Sequence, residues 1–275
     1  MNLAGMRVLL AEDNPTNQMV AVQMLESLDA TVVLATDGAE AWDVLQNQGF
    51  DVALVDIEMP EISGIDLIRR VRALPTTTAE LPMIALTAYV MREHRAAIDS
   101  AGADGIIAKP ILSIETFGEE ILKHIDSRRN RPVSAIDPTA DAVPENAEYE
   151  TAAEAGRGNE AEDQPGPEID WDVYARLCST FRGSAMDDLA VQIGKDIKAA
   201  TAQISGGMER FDMSDIRAGT HVLISVAGIV GATRLQELSR CLNSAGHETD
   251  TVQIGRDGPE LLEEANRVLD FVLGD

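Results

Sequence analysis

The sequence predicts two folds in tandem: an α/β doubly wound five-stranded parallel sheet over residues 1–126 and an all-α antiparallel helical bundle over 169–275. Three observations predict them. Short apolar runs alternate five times with amphipathic stretches in the first part, strand signals vanish in the last, and a Pro-rich acidic stretch lies between. Strand–helix alternation with short joins implies a parallel sheet with right-handed crossovers. Helical periodicity alone calls for helix-on-helix burial. At 275 residues and 45% hydrophobic content the chain can bury two cores of ordinary size.

The first strand is read over 6–11, and Asn14-Pro15 supplies an N-cap followed by Pro at the first helical position. Residues 31–35 form the second strand, after which Asp37-Gly38-Ala39-Glu40 opens a helix as a capping box. Strand 51–56 precedes a helix near 63–73, strand 82–86 one near 91–101, and strand 105–109 one near 113–125. The stretch 127–168 holds five of the eleven prolines and ten acidic residues, and is expected to be a disordered acidic, Pro-rich linker. As a flexible coil it would span roughly 35 Å. A short helix then follows Asp170, with Trp171, Tyr174, Leu177 and Phe181 on its apolar side. Longer helices are expected from 184, over 213–230, over 233–245, and from 258 to the end.

Charge excludes some partners. The net charge is -25, and no segment is basic: residues 1–126 carry 8 Lys and Arg against 20 Asp and Glu, and 169–275 carry 10 against 17. Nucleic acid and anionic membrane surfaces need a Lys/Arg face, so neither is an expected partner. The apolar run 6–11 is interrupted by Arg7 and followed by Glu12-Asp13, unlike a signal peptide, and the longest uncharged run is too short for a bilayer span. A cytoplasmic protein is expected. Cys178 and Cys241 have no paired spacing and are expected as buried thiols.

Strand 51–56 delivers Asp56 into Ile57-Glu58-Met59-Pro60, with Gly64 beyond. Such an Asp alone reads equally as a turn residue or helix cap. Parallel sheets, however, bind ligands at the carboxyl ends of their strands. The ends of strands one, three, four and five bring Glu12-Asp13, Asp56, Thr87 and Lys109 to one edge. Taken singly these are helix-start charges, a β-branched strand residue and a surface lysine before a proline. Together they suit phosphoryl transfer: clustered carboxylates call for a cation, and oxygen ligands suit Mg²⁺. Asp56 is then the nucleophile, Lys109 neutralises phosphoryl oxygens, and Thr87 offers a hydroxyl.

Glu12-Asp13, Asp56-x-x-Met59-Pro60 with Gly64, Leu86-Thr87-Ala88 and Lys109-Pro110 resemble the receiver domain of two-component response regulators over residues 5–126. The resemblance implies a flavodoxin-like sheet of order 2-1-3-4-5 with Asp56 as phosphoacceptor. It also implies Mg²⁺ held by Asp13, Asp56 and the Glu58 backbone carbonyl, with Glu12 acting through water. Ile106 departs from the family, standing where receivers usually carry an aromatic, so the output face is expected to switch differently or little.

In the bundle, His221 shares a helix side with Arg217, Ser225 and Gly228, opposite Ile216, Leu223, Ala227 and Val230. His221 is therefore expected to be exposed. Thr220-His221-x-Leu223 with Ala227, Gly231-Ala232 and Leu235 resembles a histidine-phosphotransfer domain, which would make His221 a candidate phosphohistidine. That family usually carries Lys and Gly where Ile224 and Ser225 stand here, so Arg217 is the substitute expected at the phosphoryl group and position 224 is expected to face solvent. The functional expectation is a phosphorelay protein, a phosphoacceptor rather than an enzyme, that assists its own phosphorylation and dephosphorylation. Its partners would be a sensor histidine kinase or phosphotransfer protein and a downstream receiver. The alternative keeps the receiver and makes the bundle a docking module without phosphate. A phosphatase with an Asp nucleophile is disfavoured by Met59-Pro60 and Lys109-Pro110.

Overall fold

The computed structural model describes residues 2–88, 92–129 and 166–274. Five strands, β1 (Arg7–Ala11), β2 (Thr31–Ala35), β3 (Val52–Asp56), β4 (Met83–Thr87) and β5 (Gly105–Ala108), form one parallel sheet in the order β2-β1-β3-β4-β5. The helices between and after them are α1 (Pro15–Ser27), α2 (Gly38–Asn47), α3 (Gly64–Arg72), α4 (Arg92–Ala101) and α5 (Ile114–Arg129). β3 and β4 are buried along their whole length, as central strands covered on both faces must be. The side-chain alternation sorts them. Val8, Leu10, Leu54 and Ile84 join α1 and α5 in one apolar cluster, whereas Leu9, Ala11, Val55 and Met83 join α2, α3 and α4 in the other.

Local chemistry starts the helices where the residue types require. Asn14 accepts from the Asn17 amide with Pro15 behind it, and Asp37 accepts from the Ala39 and Glu40 amides. The expected capping box is displaced by one residue, because Glu40 takes the amide and hydroxyl of Thr36. α5 runs past the expected end near 125 because Arg128 reaches back to Asp104 and Glu80. Of the linker read over 127–168, residues 130–165 lie outside the described residues.

Helix α6 (Trp171–Thr180) lies against α8, and α7 (Ser184–Arg210), α8 (Met213–Val230), α9 (Thr233–Glu248) and α10 (Thr251–Leu273) pack in a ring in which α10 returns to α7. The two-residue joins reverse the chain at each corner, as in an antiparallel bundle. The last helix starts seven residues earlier than the sequence suggests. Asp250 caps the Val252 and Gln253 amides, and the helix continues through Pro259 rather than beginning beside it. Cys178 and Cys241 are free but exposed, not buried; Cys178 follows the buried Leu177, and one helical step turns it out of the core.

The two units meet. The cluster under α1 and α5 continues without a break into the bundle, and Met24 and Ile111 line a seam with Val173, Leu177 and Ile229. Each such side chain contributes about 1.5–3 kcal/mol when fully buried.

Candidate functional site

The carboxyl end of the sheet faces α8. Glu12 and Asp13 follow β1, Asp56 ends β3, Thr87 ends β4 and Lys109 follows β5, so parallel register alone brings five chemically useful side chains to one edge. Gly64 at the start of α3 is required here, because a Cβ would stand 2.0 Å from the Asp56 carbonyl oxygen. Helix α3 therefore backs directly onto the residue whose carboxylate points into the cleft.

Glu12 and Asp56 are fully buried, and Lys109 is nearly so. The Lys109 ammonium bridges them, with Nζ 2.7 Å from Glu12 Oε2 and 2.8 Å from Asp56 Oδ2. Glu12 is held further by Asn17 Nδ2, which donates to its Oε1 at 2.8 Å, while Gln18 Nε2 donates to the Glu12 carbonyl. Carboxylate oxygens of Glu12, Asp13 and Asp56 all lie within 4.8 Å of one another. Electrostatics record this crowding. Burial, reinforced by the Asp56 charge, pushes Glu12 up to about 7 against the pull of Lys109. Burial and then Asp56 raise Asp13 as well. Burial works against the Lys109 ammonium, but the charges of Asp56 and Glu12 outweigh it and hold its pKa above the ordinary lysine value. Three oxygen donors this close form a set that suits a hard divalent cation, and Mg²⁺ fits it.

The bundle closes the cleft from above. His221 Nδ1 stands 2.9 Å from Glu58 Oε2, two residues beyond Asp56. Burial opposes protonation of His221, but the hydrogen bond and charge of Glu58, with the charge of Asp56, raise its pKa. The expectation of an exposed His221 is corrected: its side chain is only 12% exposed, because the helix face assigned to solvent lies against the receiver-like unit. Gly228, two turns on, touches the same unit so closely that a Cβ would meet Pro110 Cγ at 2.7 Å. Ile224, one turn on from His221, is 1% exposed, which corrects its solvent-facing assignment. Ser225 is buried too, with no hydrogen-bond partner for its hydroxyl among the described residues.

Arg217 is not brought to His221. Its guanidinium turns across the bundle and donates to the Gly246 carbonyl at 3.2 Å, where it satisfies the last turn of α9. Thr87 is buried at the strand end as expected, and Ile106 is half-buried against the cluster under α2, α3 and α4. One contact escaped sequence reasoning: Asp196 of α7 reaches Asn14 and Thr16 at the start of α1. A signal was present, since Asp196 interrupts the apolar stripe of Ile193, Ile197 and Ala200.

A sequence model of the response regulator receiver domain matches residues 8–124. The chain is 37% identical over 113 residues to an uncharacterised 14.6 kDa protein of Leptolyngbya boryana, a match covering 41% of this chain and 86% of that one. It is 25% identical over 264 residues to the aerobic respiration control sensor protein ArcB of Escherichia coli, covering 96% of this chain and 31% of ArcB. Among solved structures, the receiver domain of sensor histidine kinase PA1611 from Pseudomonas aeruginosa, with a magnesium ion in its active-site cleft, shares 34% identity. That match has a TM-score of 0.42 and covers 45% of this chain and 99% of the other. The chain spans less than a third of the length of the sensor proteins it matches. Among the described residues, no helix is long and apolar enough to cross a membrane. With its strand order, its strand-end cluster, the receiver sequence model and the Leptolyngbya boryana relative, the chain belongs to the response regulator receiver family through residues 8–124.

Proposed function

We propose that the chain is a phosphorelay protein in which Asp56 accepts a phosphoryl group from a phosphohistidine and exchanges it with His221 of its own bundle. The carrying observation is the meeting of the two groups: His221 Nδ1 lies 2.9 Å from Glu58, beside the buried Asp56–Lys109–Glu12 cluster. In the transfer, an Asp56 carboxylate oxygen bonds to phosphorus as the phosphorus–nitrogen bond of the donor breaks, and the donor imidazole recovers its lone pair. Lys109 neutralises equatorial phosphoryl oxygens as charge spreads over them. The Thr87 hydroxyl holds the acquired group. Asp13, Asp56 and the Glu58 carbonyl would hold Mg²⁺, with Glu12 acting through water; bound there, the ion lowers the electrostatic barrier between an anionic donor and the carboxylates.

On the bundle side, Glu58 accepts from His221 Nδ1–H, so in the neutral imidazole the lone pair that takes phosphate is on Nε2. In this reading the protein is a signalling phosphoacceptor that assists its own phosphorylation and dephosphorylation rather than an enzyme turning over a substrate. A sensor histidine kinase or phosphotransfer protein supplies the phosphate, and a further receiver takes it on.

A second reading has a specific observation behind it. Ile224 is buried and Arg217 is turned away, so no cation stands one turn from His221 on its own helix to steady a phosphohistidine. The bundle would then dock on the receiver without carrying phosphate. Incubation with a phosphorylated histidine kinase, followed by acid and base treatment, separates the two. Label that is base-labile on Asp56 and acid-labile on His221 supports the relay, and base-labile label alone supports the docking module.

A further inference from the structure

We propose that Asp196 is a positioning residue that locks the bundle onto the first turn of α1, holding His221 in register over the receiver cleft of its own chain and keeping other phosphohistidine domains out of that cleft. Its transfer half rests on the relay reading above. Its exclusion half does not.

Asp196 Oδ2 takes the Thr16 hydroxyl at 2.6 Å, Asn14 Nδ2 at 3.2 Å and the Thr16 amide at 3.3 Å, while Gln192 Nε2 donates to its Oδ1 at 2.7 Å. Thr16 is fully buried and Asp196 nearly so. The first turn of α1 has no acidic residue of its own, so the bundle supplies the negative charge that a helix N-terminus favours and an acceptor for one of its free amides. A carboxylate with several donors is strongly directional, unlike the apolar seam of Met24, Leu177 and Ile229, which tolerates sliding. The lock also sits where it matters. Asn14 directly follows Asp13 of the carboxylate cluster, and Asp196 lies on α7, the helix packed along α8. With Asp196–Thr16 at one point and His221–Glu58 at another, the bundle is held twice, and rotation over the cleft is blocked. The bundle that Asp196 holds lies over the Asp56 cleft, so an external phosphohistidine domain reaching Asp56 has to displace it, and the Asp196 contact opposes that displacement.

The test uses full-length chains in which one site is removed. A chain with His221→Gln is labelled on Asp56 by a small phosphodonor with Mg²⁺ and mixed with a chain carrying Asp56→Asn, so that only transfer between chains is seen. Adding Asp196→Ala to both should raise transfer between chains about tenfold, corresponding to ~1.4 kcal/mol, while transfer within an otherwise intact chain falls. Damage to the bundle would lower both. In the His221→Gln chain, Asp196→Ala should also speed labelling of Asp56 by a separate phosphorylated histidine-phosphotransfer protein, whether or not His221 ever carries phosphate. Thr16→Val, which leaves the bundle untouched, should reproduce part of each change, and the double variant should add little to Asp196→Ala alone. Unchanged transfer between chains and unchanged external labelling, with helix content retained, would overturn the lock. If Asp196→Ala unfolds the bundle, the Thr16→Val arms decide in its place. Absence of label on His221 in every chain sinks the relay reading, and the external-labelling arm still judges Asp196.

Discussion

Asp56 and His221 reach the same cleft from opposite kinds of local setting. Asp56 ends a fully buried strand, and its partners arrive on neighbouring strand ends that the parallel register aligns. His221 sits on one face of one helix, and nothing in α8 itself says what covers that face. A strand-end cluster is thus encoded by topology, whereas a helix-face site acquires its meaning from whatever packs on it. Burial shows the difference: Lys109 is where it was expected, but Ile224, His221 and Arg217 each have surroundings that only the receiver-like unit or a neighbouring helix supplies.

The sharpest break in that comparison is Asp56→Asn. It should abolish base-labile labelling by a small phosphodonor altogether, and so should excess chelator on the intact chain; residual label in either case places the acceptor elsewhere. Next is Lys109→Ala, expected to slow labelling about 10²-fold by removal of a preorganised charge. Because the ammonium bridges Glu12 and Asp56, its loss should at the same time tighten Mg²⁺ binding measured by calorimetry. Equal weakening of both would mean that Lys109 only holds the fold together.

On the helix side the expected effects are structural and smaller. Ile224→Lys places an ammonium in a covered position and should cost ~2–4 kcal/mol, seen as a lower denaturant midpoint or, by small-angle scattering, as separation of the two units. A silent substitution would return position 224 to solvent. Smallest is Arg217→Ala. Loss of its bond to the Gly246 carbonyl should lower stability by about 0.5–1.5 kcal/mol with the rate of phosphoryl transfer unchanged. A large transfer defect would restore Arg217 to the phosphoryl group.

Much of this is legible in the order of the residues alone. Alternation of period two along strands marks which side chains meet α1 and α5 and which meet α2, α3 and α4, and short joins between strand and helix leave few topologies open. Asn14-Pro15 and Asp37 name their helix starts because their chemistry is local to one turn. The sequence points to a later start for α10 because Pro259 is a strong break signal, yet the Asp250 cap lies two turns earlier and the packed helix carries the proline.

By itself the sequence determined the sheet, the existence of the helices though not every helix end, and the receiver cluster of Glu12, Asp13, Asp56, Thr87 and Lys109, since those depend on residue type, periodicity and the alignment of parallel strand ends. Only the tertiary structure decided that the bundle closes over that cluster, that Asp196 grips α1, that Glu58 takes His221 and that Arg217 serves α9 instead. The physical reason is range. Caps and alternation act within a few residues, whereas Asp196 and Thr16 are 180 residues apart, and no local pattern records which surface a charged side chain will find at that distance.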